Sequence, residues 1–110
     1  MATHHDLGPA DRIPLGEGRT FDLGGTRVAV FRARDGQVFA TQAACPHRGG
    51  PLADGLMGER CIVCPLHAFK FDLATGAPLG HACGSLATYA VSVGDDGHIL
   101  LTLPGMQEAS

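Results

Sequence analysis

Two short runs of metal-binding side chains constrain this chain more than any other feature. Cys45-Pro46-His47 and Cys64-Pro65-Leu66-His67 are separated by 16 residues, and both lie in a stretch crowded with turn-forming residues. Between residues 43 and 86 fall all four cysteines, three of the six histidines, and Pro46, Pro51, Pro65 and Pro78. This stretch reads as loops gathered around a bound group. Across the chain, Gly (16) and Pro (7) occupy 23 of 110 positions, against roughly 12% in an ordinary soluble protein. Long helices are therefore excluded and frequent turns expected.

The flanks of that stretch alternate as strands do. Arg19 to Leu23 is one, ended by Gly24-Gly25. Thr26 to Arg32 puts Val28 and Val30 on one face and Ala29 and Phe31 on the other, so it should lie between two apolar layers. Asp35-Gly36 is a hairpin signal, and Gln37 to Thr41 returns with Val38 and Ala40 opposite Phe39. Later, Tyr89, Val91 and Val93 share a face, Asp95-Asp96-Gly97 turns, and Ile99, Leu101 and Leu103 return. Within the middle stretch, Glu59 to Val63 and Phe69 to Leu73 are short strands, with a turn over Asp72 to Gly76. The expected architecture is all-β: one domain over 1–110, with a base of about 11–42 and 87–104, an inserted subdomain of about 43–86, and a loose tail at 1–10. His4, His5 and Asp6 have the composition of a two-histidine-one-carboxylate iron site, but a frayed terminus would not hold them rigid.

Composition narrows the setting. With 45% apolar and 17% charged residues the chain can bury a core, and 110 residues make one domain. A net charge of −3 argues against a nucleic-acid partner. No apolar run approaches the ~18 residues of a membrane span, and Met1 to Ala10 carries no apolar signal core. A cytoplasmic protein without a membrane partner is the expectation, and there four cysteines point to a metal before a disulfide framework.

Two thiolates and two imidazoles leave two candidates: a structural zinc, or a 2Fe–2S centre with histidines on one iron. Zinc sites usually use C-x₂₋₄-C knuckles or an H-x₃₋₅-H pair, whereas the two runs here pair Cys with His as C-x-H and C-x-x-H. The zinc alternative would make the chain a zinc-stabilised β binding module.

Cys45-Pro46-His47-Arg48-Gly49-Gly50-Pro51-Leu52 and Cys64-Pro65-Leu66-His67-Ala68-Phe69-Lys70-Phe71-Asp72 strongly resemble the two cluster loops of Rieske iron–sulfur proteins. The resemblance runs from about Ile13 to Leu103. It implies a Rieske fold, an antiparallel β sandwich with a cluster-binding subdomain. It also implies a 2Fe–2S cluster with one iron on Cys45 and Cys64 and the other on His47 and His67. The histidine rings would form the electron port, the sulfur side would be buried, and Arg48 would either dock an acidic partner or be a solvated charge.

Respiratory Rieske subunits carry two further cysteines that staple the loops; the matching positions here are Gly50 and Leu66. The oxygenase catalytic subunits are far longer. Two soluble groups remain: the ferredoxin component of ring-hydroxylating dioxygenase systems, and the small subunit of NAD(P)H-dependent assimilatory nitrite reductase. The runs Val28 to Arg32, Phe69 to Gly76, and Cys83-Gly84 leading to Thr88-Tyr89-Ala90-Val91 look more like the second. Redox partners would be a flavin-containing reductase, a large reductase subunit, or a terminal oxygenase. No Ser–His–Asp triad, paired catalytic carboxylates or phosphate loop is evident, so no substrate-converting site is expected in the chain itself.

Two thiolates and two sulfides neutralise two ferric ions, so the cluster is uncharged when oxidised and −1 when reduced. High-potential relatives place Ser and Tyr hydroxyls two and four residues after the second histidine; here those positions are Phe69 and Phe71. The expectation is a potential at the low end of the Rieske range of roughly −150 to +300 mV. Cys61 reads as a buried small apolar residue in a strand, Cys83 as a structural thiol in a Gly-rich loop, and His81 and His98 as surface loop residues.

Overall fold

The computed structural model describes residues 3–44, 51–64, 69–80 and 85–103. Its ten strands are β1 (Thr3–Pro9), β2 (Glu17–Leu23), β3 (Thr26–Arg32), β4 (Val38–Gln42), β5 (Leu56–Met57), β6 (Cys61–Val63), β7 (Lys70–Asp72), β8 (Pro78–Leu79), β9 (Thr88–Val93) and β10 (His98–Leu103). They form a six-stranded sheet in the order β1-β10-β9-β4-β3-β2 and a four-stranded sheet in the order β5-β6-β7-β8. Every pairing is antiparallel. Short 3-10 turns at Ala10–Arg12 and Leu52–Asp54 are the helical elements among the described residues, and no helix is long and apolar enough to cross a membrane.

The two-faced β3 organises the core. Val28, Ala29, Val30 and Phe31 are all fully buried, because successive side chains point to opposite faces and both faces are covered. Val28 and Val30 join Ala40, Ile99, Leu101 and Leu103 in one apolar cluster. Ala29 and Phe31 join Phe39 in the other, where they meet Ile62 and Phe71 of the smaller sheet and Leu73 just after β7. The second cluster is thus the seam between the sheets. Tight turns hold the hairpins as the Asp-Gly signals indicate. Asp35 Oδ1 accepts from the Gln37 amide and Gly36 lies at φ 91°. Asp96 Oδ1 accepts from the His98 amide and Gly97 lies at φ 82°.

Residues 3–9 correct the expected loose tail: they form β1, paired with β10 from Thr3 opposite Leu103 to Pro9 opposite His98. Their polar sequence is that of an edge strand with solvent on one side. His98, read as a lone surface loop residue, begins β10, and its Nδ1 donates to Asp6 at 2.9 Å. β2 starts two residues before the expected Arg19. Gly18 lies opposite Phe31, and a Cβ there would fall 2.6 Å from the Phe31 ring. The ring occupies the space a side chain would need.

Candidate metal centre

The expected ligand segments leave the described structure at residues whose flanks are held together by hydrogen bonds. Ala44 and Pro51, on either side of 45–50, form an isolated antiparallel bridge, and the Leu52 amide donates to the Ala43 carbonyl at 2.9 Å. On either side of 65–68, the Cys64 amide donates to the Phe69 carbonyl at 2.7 Å. Pro51 then enters the 3-10 turn Leu52–Asp54, which buries Leu52 completely.

The exit from the first segment and the approach to the second are packed tightly together. Leu56 pairs with Val63. A Cβ on Gly55 would sit 2.2 Å from the Val63 carbonyl oxygen, so only glycine fits there. Leu52 and Cys64 share the inter-sheet cluster with Ile62 and Phe71. The residue that follows 45–50 by two and the residue that precedes 65–68 are thereby packed in one cluster.

Of the four expected ligands, the structure places Cys64, which is buried at 2% exposure in apolar surroundings. Cys45, His47 and His67 lie outside the described residues, as do Arg48, Gly50, Leu66, His81 and Cys83. Phe71 is fully buried on β7, and Phe69 packs against the same cluster. Cys61 corrects its expectation: it is half-buried, because Ile62 takes the inward position on β6 and Cys61 points the other way, with its Sγ close to Gly58. His4 and His5 contact Thr102 and Thr3. Among the described residues no three His, Cys, Asp or Glu side chains gather into a metal site.

The sequence reading missed one residue here. Gln42, at the end of β4, donates from Nε2 to the Ala44 carbonyl at 2.7 Å and accepts at Oε1 from the Ala87 amide at 2.8 Å. A polar residue at a strand end is common, and nothing in its spacing marks it.

A family model described as the Rieske [2Fe-2S] domain matches residues 3–90. The chain belongs to the Rieske family. Its cofactor is therefore a Rieske-type 2Fe–2S cluster, which decides between the two metals, and the protein is an electron-transfer protein. The described donor fits such a Rieske centre: Cys64 presents a buried thiol between two segments whose flanks are fixed. The anthranilate 1,2-dioxygenase ferredoxin subunit of Burkholderia cepacia is 36% identical over 71% of this chain and 71% of its own length. A solved structure of an NADH-dependent nitrite reductase small subunit from Mycobacterium tuberculosis is 25% identical with a TM-score of 0.88, covering 96% of this chain and 99% of that one. The ferredoxin of carbazole 1,9a-dioxygenase from Nocardioides aromaticivorans is 32% identical with a TM-score of 0.81, covering 90% and 96%.

Proposed function

We propose that this protein is a low-potential Rieske electron carrier, the small subunit of an NAD(P)H-dependent nitrite reductase working in the cytoplasm. In this reading Cys45 and Cys64 hold one iron and His47 and His67 the other. The larger sheet is the base, and residues of about 43–86 form the cluster-binding part. The observation that carries the reading is the likeness to the nitrite reductase small subunit over nearly the whole of both chains. Phe69 and Phe71 add to it, because phenylalanines at the two positions where high-potential relatives carry hydroxyls suit a carrier fed from NAD(P)H through a flavin.

A second reading, the ferredoxin component of a ring-hydroxylating dioxygenase system, is favoured by the higher identity to two such ferredoxins. The two separate by reconstitution. The purified protein is added to a sirohaem-containing nitrite reductase large subunit with NADH, and in parallel to an oxygenase with its flavin reductase. Nitrite consumption that depends on this chain is the expected result. Dependence of arene hydroxylation alone would overturn it in favour of the second reading. The ligand assignment is tested by EPR of the reduced protein, where the low average g of a histidine-ligated cluster is expected. An average like that of four-cysteine ferredoxins would exclude His47 and His67.

A further inference from the structure

We propose that Gln42 is a positioning residue for the first ligand segment. Its side-chain amide fixes the peptide carbonyl that immediately precedes Cys45 against the strand that follows residues 81–84. This rests on Cys45 being a ligand, as assigned above.

The geometry is a three-bond clamp. The Gln42 backbone amide donates to the Ala87 carbonyl at 2.9 Å, and the Ala87 amide donates back to Gln42 Oε1 at 2.8 Å. The remaining end of the same amide, Nε2, donates to the Ala44 carbonyl at 2.7 Å. One planar group therefore reaches two chain segments 43 residues apart, Ala44 and Ala87. Its own position is fixed from beneath: Gln42 pairs with Val28 in the sheet, and the buried Thr41 hydroxyl donates to the Gln42 carbonyl at 2.8 Å.

Among the described residues, Ala44 is held by this bond and by its bridge to Pro51. Ala44 is exposed and lies beyond the end of β4. The Ala44–Pro51 bridge ties the segment's two flanks to each other. Gln42 ties them to the base sheet. A metal ligand is oriented by the groups that hold it from behind, and such outer contacts tune the centre.

The test uses two variants of the intact, cluster-loaded protein, with the wild-type EPR signal as reference. Gln42→Met keeps length and volume but removes both side-chain bonds. It is expected to shift or broaden the g values of the reduced cluster. It is also expected to speed cluster loss to a chelator by roughly fivefold to tenfold, the scale of one or two hydrogen bonds. Gln42→Glu reproduces the clamp only when protonated, since an ionised carboxylate has no proton to donate to the Ala44 carbonyl. Its spectrum should depart from wild type at pH about 8 and return toward it near pH 5, within reach of a carboxyl facing a carbonyl oxygen. Ile99→Val, in the remote core cluster, controls for general loosening and should leave the g values unchanged. A Gln42→Met spectrum identical to wild type, or a Gln42→Glu spectrum without pH dependence, overturns the proposal. A wild-type spectrum lacking the histidine-ligated signature would instead overturn the ligand assignment.

Discussion

Cys61 and Cys64 are three positions apart and occupy different physical environments. Cys64 is enclosed with Leu52, Ile62 and Phe71, while Cys61 is half-buried on the other side of β6. Cys61→Ser is therefore expected to keep two irons and two acid-labile sulfides per chain. Cys64→Ser is expected to lose them and to melt at a lower temperature, because metal binding contributes folding free energy. Iron and sulfide analysis beside thermal melts checks both; equal retention would remove Cys64 from the ligand set. Phe71 offers a second single-residue experiment. It is fully buried in the cluster that contains Cys64, so the hydroxyl of Phe71→Tyr enters that neighbourhood with no water to bond. If it donates to a cysteine sulfur, it stabilises the more negative reduced form and raises the potential. A charge-assisted bond of about 1.5–3 kcal/mol sets an upper scale of roughly 65–130 mV for one electron. Left unbonded, it costs about 1–3 kcal/mol of stability instead. Voltammetry and denaturant unfolding of the same sample separate the outcomes.

Between elements, the contact of Gly55 with β6 leaves no room for a side chain. A Cβ 2.2 Å from the Val63 carbonyl oxygen has nowhere to go but by moving backbone, so Gly55→Ala is expected to cost on the order of 1–3 kcal/mol. Chelator-driven iron loss should speed up alongside the drop in melting temperature, since the contact joins the exit of one ligand segment to the approach of the other. β1 is held to β10 by a different device. The Gly8 amide, and after it His98, hold the Asp6 carboxyl below its ordinary value of 3.8. A lowered carboxyl pKa stabilises the folded pairing above that ordinary value, and the contribution is lost as pH falls through the depressed folded value. Exchange protection factors along β1, corrected for the intrinsic rate at each pH, should fall as acid is added below about pH 4 and fall less in Asp6→Asn; identical profiles would count against the tether. The contribution is small because the carboxyl is exposed. These two contacts also show what was legible beforehand. The burial of β3 on both faces followed from alternation alone, as did the Asp-Gly turns. β1 did not, because its polar residues contribute through backbone pairing and a salt bridge to a residue 92 positions away. Gly55 and Gln42 escaped for the same reason: their roles are set by what packs against them across the fold. The Cys–His motifs were legible because coordination chemistry constrains residue type and spacing together.

At the scale of the molecule, the arrangement of the two sheets bears on the redox potential. The apolar seam between them is built from Ala29, Phe31 and Phe39 on one side and Ile62, Phe71 and Leu73 on the other, and Cys64 belongs to it. With Cys64 as an iron ligand, as proposed above, the centre borders this apolar seam. Adding an electron leaves the centre with a net negative charge, and a low-dielectric wall disfavours that charge. The chain's net charge of −3 acts in the same direction, weakly through solvent. The hydroxyl donors that offset this in high-potential relatives are replaced by Phe69 and Phe71, one packed against the seam and the other inside it. All three effects lower the potential. The expected value is on the order of −150 mV at neutral pH, the bottom of the Rieske range. That suits electrons arriving from NAD(P)H and does not suit quinol oxidation. Protein-film voltammetry of the wild-type protein decides it: a potential above about +100 mV, well up the family's span, would mean that donors outside this apolar seam dominate, and the NAD(P)H-linked carrier role would fall with it.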